Sequence, residues 1–430
     1  WGGSELSIVL ECLDLCRKAG LKLPVDMSDP DRFPKAYWGK RFKEDITVAG
    51  GYAFYCGDVS GPNRPRLQDL GPRLRQTPEK IPNNPSRVLS AWAGILESGR
   101  EHADFRLRRA AAVRVGTGYG HAHNDPLDLQ IWAQGVPMCG DGGARNGYAE
   151  PDTAWLGNHN TVLSGLPTGR HQWISSFAPM AGAQYLRASL LCEGLYERQT
   201  ALVDVDATNS YVVDVFRVKG GEAPAYAFHG MPADLFEVNA ADKHPAEMER
   251  FLPEASKWSG ACPEVLMATW RMRRDPETIT WTNKAGVAGS LGVPGAERMA
   301  MGEDFDDKAP RKFIRMHLLG HAGDEAYGAR ALCMQGTPYT TENLYIKPKE
   351  WKGETVFVAV FEPFAGEGFV KSARLLTPAA SLASATAPVA VEVTIQNGRR
   401  DVIYLAMRDT GATPVEGVTV QGEFGLVSFD

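Results

Sequence analysis

Several features that would place this chain in a familiar class are missing from its sequence. No apolar run approaches the roughly 20 residues that a membrane-spanning helix needs, so we expect no membrane span. The seven cysteines include no CxxC pair, which argues against a disulfide framework and against a cysteine-based zinc site. The formal net charge of -6 offers no general attraction to nucleic acid. An anionic ligand would therefore need a local cluster of basic side chains.

What the chain does contain is typical of a globular protein of more than one domain. It has 430 residues, of which 43% are hydrophobic and 23% charged. A chain of this length exceeds one ordinary hydrophobic core, so we expect two or three domains.

The N-terminal part predicts a helix followed by a connecting segment. Ser4 is a suitable N-cap, apolar residues repeat at helical spacing over residues 4–19, and Gly20 ends the helix. Residues 25–86 are rich in proline, glycine and charge and indicate loops. The helix has an apolar face that needs neighbouring helices, and the chain starts at Trp1. We therefore expect an upstream segment in the functional protein.

From about residue 88 onward, short β-branched runs bounded by Gly, Pro or Asp predict strands. Their density predicts a mainly β protein with a large antiparallel sandwich. An Ala/Ser/Pro-rich stretch at 373–387 indicates a connection to a small C-terminal β unit. The predicted strands are 88–96, 105–115, 127–133, 200–205, 211–218, 312–319 and 355–361 in the sandwich, and 389–396, 401–407 and 415–422 in the terminal unit.

The densest chemical signal is the run GYGHAHND at 118–125, followed by Asp141 and by HNT at 159–161. In a strand, His121 and His123 share one face because the side-chain period is two. Imidazoles together with a carboxylate suit a divalent ion such as zinc. Spacing alone leaves several choices of ligands open within this set.

These motifs resemble those of heparinase II/III-type polysaccharide lyases. The stretch at 118–143 matches the family's Gly-His-x-His-x-Asp run, which leads into an apolar strand, a Gly turn and an Asp-x-Gly. HNTVLSG at 159–165 resembles the next motif. Weaker likenesses are found at 90–99, at 55–61 and at 356–376, the last with a Glu-Pro pair. The resemblance runs, with gaps, from about residue 50 to 376.

That resemblance implies a fold and a division into domains. Residues 1–86 would be the end of an α/α toroid plus a linker, residues 87–376 a central antiparallel β-sandwich, and residues 377–430 a small C-terminal β unit. It also implies a periplasmic or secreted enzyme whose upstream toroid segment is required, and it leaves a homo-oligomer open.

The resemblance further implies roles for individual residues. His123, Asp141 and His159 align with a structural metal site that usually holds zinc. His121 aligns with a histidine that faces the substrate. Arg145 and Tyr148 fall where such enzymes place substrate contacts, and Tyr148 is a candidate catalytic residue.

The implied reaction is β-elimination on an anionic polysaccharide that contains uronic acid. The C5 proton lies α to a carboxylate, so the enzyme must neutralise that carboxylate, supply a base at C5 and protonate the leaving oxygen. Family members carry the catalytic Tyr and a neutralising Asn or His on toroid helices. The helix at 4–19 contains none of these residue types. We therefore expect this chain alone to bind metal but to show little lyase activity.

Two other functions are compatible with the same residues. His121, His123 and Asp128, with Gly135, resemble the first cupin motif with Asp in place of the usual Glu, which would imply a catalytic metal. The second cupin motif is not cleanly present. The ten Trp and thirteen Tyr would also suit a carbohydrate-binding protein without catalytic activity.

Overall fold

The computed structural model describes residues 12–21, 31–34, 44–49, 51–54, 83–89, 92–102, 104, 107–116, 125–141, 157–166, 171–245, 258–273, 277–282, 288–293, 309–333 and 339–430. The chain divides into two compact units, Trp1–Thr47 and Val48–Asp430. In the first unit residues 12–18 are helical, within the predicted helix, and residues 4–11 lie outside the described residues. None of the helices in the described part of the chain is long and apolar enough to cross a membrane. The predicted domain division at residues 86 and 376 stays a prediction.

Strands make up most of the second unit, as predicted. In chain order they are β1 (Thr47–Val48), β2 (Tyr52–Ala53), β3 (Arg87–Leu89), β4 (Ala93–Ser98), β5 (Arg109–Arg114), β6 (Leu129–Ala133), β7 (Val136–Cys139), β8 (Val162–Leu163), β9 (Gln172–Met180), β10 (Ala183–Leu190), β11 (Leu195–Asp204), β12 (Ser210–Lys219), β13 (Ala225–His229), β14 (Ala233–Val238), β15 (Ala241–Pro245), β16 (Trp258–Ala261), β17 (Val265–Met272), β18 (Glu277–Thr282), β19 (Ala288–Val293), β20 (Lys312–Leu319), β21 (Glu325–Cys333), β22 (Tyr339–Lys347), β23 (Glu354–Ala365), β24 (Val370–Leu375), β25 (Val389–Ile395), β26 (Arg400–Leu405), β27 (Thr413–Val415), β28 (Val418–Val420) and β29 (Phe424–Phe429). A 3-10 helix, Ala379–Ala383, lies between β24 and β25.

The strands form four larger antiparallel sheets. The eight-stranded sheet has the order β14-β17-β20-β23-β12-β11-β10-β9, and the six-stranded sheet has the order β15-β16-β21-β22-β13-β8. A five-stranded meander runs β3-β4-β5-β6-β7, and the C-terminal sheet has the order β24-β25-β26-β29. Three further strand pairs are β1-β2, β18-β19 and β27-β28.

Two hydrophobic cores lie on opposite faces of the eight-stranded sheet. On its inner face, side chains such as Trp270 and Phe361 pack with Phe228 of the six-stranded sheet and Ile131 of the five-stranded sheet. On its outer face, strands β10, β11, β12 and β23 pack against the C-terminal sheet. The predicted antiparallel sandwich is confirmed, and the C-terminal sheet adds a third layer.

Two of the runs predicted as single strands each cover two strands. The run at 88–96 is two antiparallel strands, β3 and β4, and the Trp92 amide donates to the Leu89 carbonyl (2.9 Å). The run at 415–422 is the hairpin β27-β28, whose turn contains Glu416 and Gly417, both with positive φ. A short turn of this kind interrupts the strand, but the hydrophobic residues on both sides keep the same period. In the sequence the two strands therefore look like one run.

The Glu-Pro pair of β23 has a structural role. Glu362 is fully buried, and its Oε1 accepts hydrogen bonds from the amides of Phe369 (2.5 Å) and Val370 (2.7 Å). Its Oε2 lies 3.2 Å from Nη1 of Arg315. The carboxylate therefore fixes the turn that leads from β23 into β24 and the C-terminal sheet.

Glu97 is a second buried carboxylate, and it leads to a prediction about pH. It lies in β4, where its Oε2 accepts from the Ala49 amide (3.2 Å) and its Oε1 lies 3.2 Å from Nη1 of Arg87. Burial raises the pKa of Glu97 from 4.5 to about 7, and the charge of Arg87 opposes that rise only in part. The folded protein therefore holds this proton more tightly than the unfolded chain does.

We expect the free energy of unfolding to fall as pH rises from about 4.5 to about 7, by up to about 3 kcal/mol from this group. The sign follows because the folded state binds more protons than the unfolded state across that interval. The Glu97→Gln variant removes the titration, so its denaturant midpoint should decline less over the same range. Glu350→Gln, at a strongly exposed position, is the matched control. Parallel pH profiles for the wild type and Glu97→Gln would contradict the prediction.

Candidate metal site

A tight hairpin brings two aspartates to one end of the five-stranded sheet. Strands β6 and β7 are joined by Gln134 and Gly135, which have φ values of 55° and 74°, as a two-residue type I′ turn requires. Because the strands are antiparallel, Asp125 before β6 and Asp141 after β7 reach the same end of the hairpin. Tyr52 fixes the turn by donating from its hydroxyl to the Gly135 carbonyl (2.7 Å).

The segment at 157–161 attaches to this hairpin end through Asn160. Its amide donates to Oδ1 of Asp128 (2.8 Å), and its side-chain Nδ2 donates to the Leu129 carbonyl (3.0 Å). The Leu129 amide donates back to the Asn160 carbonyl (3.1 Å). This pairing places the neighbouring residue, His159, beside the two aspartates.

Asp125, Asp141 and His159 form a buried cluster. One potential ligand atom from each lies within 4.8 Å of the others, and His159 Nδ1 is 3.4 Å from Asp141 Oδ1. Their exposed fractions are only 2%, 6% and 1%. Carboxylate oxygens and an imidazole nitrogen at this separation are donors that suit zinc.

The surroundings of the cluster are strongly acidic. Burial, together with the nearby charges of Asp141 and Asp125, raises the pKa of Asp128 to about 8. Arg114 forms an ion pair with Asp125. Several carboxylates gathered in a buried space repel one another, and a bound cation would relieve that repulsion.

His229 joins the six-stranded sheet to the same loop. Its amide donates to Oδ1 of Asn160 (2.8 Å), and its Nε2 lies 3.0 Å from the Asn158 carbonyl. Its Nδ1 lies 2.9 Å from the carbonyl of Gly230. Burial lowers the pKa of His229. This contact fixes the backbone on either side of His159.

A buried arginine ties the cluster to the eight-stranded sheet. Arg198 of β11 makes a two-pronged ion pair with Asp214 of β12, at 2.7 Å and 2.8 Å. Its Nη1 also donates to the carbonyls of Leu127 (2.6 Å) and Asn160. The Tyr226 hydroxyl donates to Asp214 Oδ2 (2.8 Å). One guanidinium therefore fixes the segments that carry Asp125 and His159.

The structure brings together two of the three metal ligands predicted from the sequence. Asp141 and His159 are neighbours, whereas His123 lies outside the described residues. Asp125 is a third potential ligand that the sequence argument did not select. The sequence feature that could have identified Asp125 is its spacing. Asp125 follows His123 by two residues, just as His123 follows His121, and residues two apart in a strand share one face.

The other predicted site residues are placed as follows. His121, Arg145 and Tyr148 lie outside the described residues. Asp128, the ligand in the cupin alternative, accepts hydrogen bonds from the Asn160 amide and from Nε2 of Gln130 (3.2 Å). Asp128 thus supports the loop geometry in the structure.

Comparisons with known proteins identify the fold. No protein-family model and no curated protein matches the chain. Among solved structures, a heparinase III matches with a TM-score of 0.56 at 12% identity, over 88% of this chain and 53% of that one. Heparan sulfate lyase HepC from Pedobacter heparinus matches with 0.53 at 10% identity, over 94% and 57%. Another heparinase III matches with 0.54 at 13% identity, over 94% and 59%.

The fold and the comparisons together define a heparinase-like antiparallel β-sandwich. The predicted resemblance to the heparinase type is therefore confirmed in the fold. The chain spans a little over half the length of the structures that it matches.

Proposed function

We propose that the protein is a polysaccharide lyase that cleaves a uronic-acid-containing polysaccharide by β-elimination. The observation that carries the proposal is the buried Asp141–His159 pair, in a sandwich whose solved relatives are named heparinase III and heparan sulfate lyase. The pair lies at the end of the hairpin that follows the histidine-rich run at 118–125. An enzyme that acts on such a polymer would work in the periplasm or outside the cell.

The proposal includes one structural zinc ion held by His123, Asp141 and His159, with Asp125 as a further donor. The donor types and the 3.4 Å separation of His159 and Asp141 fit such an ion. The metal would stabilise the loops by linking residues that come from separate strands. It would supply no chemical step, so proton transfer falls to side chains of the protein.

In this mechanism His121 is the candidate proton carrier or partner of the substrate carboxylate. Removal of the C5 proton forms the C4–C5 double bond as the C4–O bond breaks, and the leaving oxygen takes up a proton. Arg145 is the candidate for neutralising the carboxylate, because a guanidinium binds carboxylates in a fixed planar geometry. Tyr148 is the candidate base or acid.

The deciding experiment is an absorbance assay of the full-length protein against a panel of purified polymers. Heparin, heparan sulfate, chondroitin sulfate, hyaluronan and alginate would be tested beside uncharged dextran. The double bond of an unsaturated uronate absorbs in the ultraviolet, so turnover should appear as rising absorbance. Cleavage without that absorbance would refute β-elimination. Binding of the polymers without cleavage would favour a carbohydrate-binding protein.

The metal proposal gives a separate prediction. His159→Ala should lose most of the bound zinc and lower the melting temperature, by about 2–4 °C for each kcal/mol of stability lost, because metal binding free energy contributes directly to folding. Elemental analysis of protein purified without added metal, together with thermal unfolding, measures both effects. His244→Ala, in the exposed strand β15, is the matched control. A wild type without metal, whose stability a chelator leaves unchanged, would contradict the proposal.

A further inference from the structure

A row of polar side chains lies on the face of the six-stranded sheet that is turned away from the eight-stranded sheet. In β22, Leu344 and Ile346 belong to the core between the two sheets. The residues that alternate with them point to the other face, because the side-chain period of a strand is two. Register pairs Asn343 of β22 with His229 of β13. The polar residues of this set, named here the polar row, are His229, Thr341, Asn343 and Tyr345.

The polar row is buried beside small apolar side chains. Each of its four residues is 1% exposed or less. Burying a polar side chain is costly unless it is hydrogen-bonded, so the hydrogen bonds of the row indicate what the row does. Its apolar neighbours on the same face are Leu163, Ala225, Ala227, Ala329 and Ala331.

The hydrogen bonds from β22 converge on Gly157, two residues before the candidate ligand His159. The Gly157 carbonyl accepts from the Tyr345 hydroxyl (2.9 Å) and from Nδ2 of Asn343 (3.2 Å). The Thr341 hydroxyl donates to Oδ1 of Asn343 (2.7 Å), which orients the amide so that its Nδ2 faces the loop. Two donors on neighbouring positions of one strand therefore hold one backbone carbonyl.

The loop is held on both sides of His159. Before it, the Asn158 carbonyl lies 3.0 Å from Nε2 of His229. After it, the Asn160 side chain accepts from the His229 amide (2.8 Å). Between these fixed neighbours, Nδ1 of His159 lies 3.4 Å from Oδ1 of Asp141. The backbone on either side thus limits how far the imidazole can turn away from Asp141.

We infer that Asn343 and Tyr345 are positioning residues for His159, and that they set how tightly the candidate site holds its metal. A ligand that is already held in place loses little further freedom when the ion binds, so the affinity is higher. Both residues act through the Gly157 carbonyl. The inference rests on the proposed zinc ion and does not depend on lyase activity.

The test is the zinc affinity of the purified protein, measured by competition with a coloured chelator. Tyr345→Phe removes one donor to the Gly157 carbonyl and should weaken zinc binding by about 10-fold, the lower end of the usual effect of groups that support metal ligands. Asn343→Leu removes the other donor and should also weaken it. Tyr327→Phe is the matched control and should bind zinc as the wild type does. Tyr327 is the register partner of Tyr345, but its hydroxyl donates to Glu325.

Cobalt(II) absorbance gives a second readout, which a purely structural role would not change. The visible bands of protein-bound cobalt depend on the geometry of the ligands. They should therefore shift in Tyr345→Phe and stay unchanged in Tyr327→Phe. Urea unfolding in the presence of a chelator measures the stability of the metal-free variants and shows that they fold.

The outcomes separate this inference from the proposed function. Tyr345→Phe with the zinc affinity and cobalt spectrum of the wild type would overturn the positioning role, whatever its metal-free stability. A wild type that binds no zinc would overturn both the positioning role and the proposed metal. Weaker zinc binding in Tyr345→Phe, with no ultraviolet-absorbing product from any polymer, would support the positioning role and refute only the lyase. If Asn343→Leu does not fold, Tyr345→Phe decides.

Discussion

Replacing Arg198 with methionine is expected to lower the free energy of unfolding by about 3–5 kcal/mol, the usual cost of removing one partner from a buried ion pair. Arg198 and Asp214 are both completely buried. Without the guanidinium, the Asp214 carboxylate stays in the interior with its charge uncompensated. The carbonyls of Leu127 and Asn160 each lose a donor as well. Urea unfolding followed by circular dichroism measures the loss.

The same variant should also reduce the metal content. Leu127 and Asn160 belong to the segments that present Asp125 and His159, so releasing them loosens the cluster. Arg330→Met is the matched control, because its pair with Glu342 is exposed and such pairs contribute about 0–1 kcal/mol. The double variant Arg198→Met/Asp214→Leu removes both charges and should recover part of the lost stability. An Arg198→Met protein as stable as Arg330→Met would show that the buried pair contributes little.

The second large effect concerns turnover. His121→Ala is expected to reduce lyase activity by about 10²–10⁴-fold, the usual contribution of a proton-transfer group, while the protein folds and retains its metal. His121 itself lies outside the described residues, but the described residues on either side of its run have contacts with other strands. Nε2 of Gln172 donates to the Gly116 carbonyl (3.0 Å) before it, and Arg114 pairs with Asp125 after it. These flanking contacts do not involve the His121 imidazole, so its loss should leave the fold intact.

The companion variant His123→Ala makes the prediction about His121 specific. It should lose metal and stability first and activity as a consequence, because His123 is the proposed ligand. Activity assays and elemental analysis on both variants distinguish the two roles. If His121→Ala loses metal in proportion to activity, His121 is itself a ligand, and the cupin-like mechanism gains support.

Hydrophobic patterning determined much of the sandwich. The run at 312–319 predicted β20 at its observed bounds, and the run at 211–218 lies within β12. Side-chain period is a local property, so the sequence reveals it wherever one face is buried. The same pattern could not reveal the turn near Trp92 or the hairpin at Glu416 and Gly417, because turns depend on backbone conformation at single residues.

Residue chemistry identified part of the candidate site. Asp141 and His159 are 18 positions apart, and the motif likeness paired them before any geometry was known. Asp125 lies beside them because of the β6-β7 hairpin. The residue before β6 and the residue after β7 lie at the same end of that hairpin. A linear sequence does not show which ends of two strands coincide until the register is set.

By itself the sequence determined the mainly β class, the positions of some of the strands, the histidine-rich run and the likeness to heparinase-type lyases. Each of these depends on residues that are close along the chain. Only the tertiary structure decided which charges are buried together. Arg198 and Asp214 meet because β11 and β12 are antiparallel neighbours, and Arg271 and Arg311 share Asp234 because β14, β17 and β20 lie side by side. Such pairings join residues that are distant in sequence, because the order of the strands in the sheet brings them together. That strand order is selected by the free energy of packing summed over the whole core.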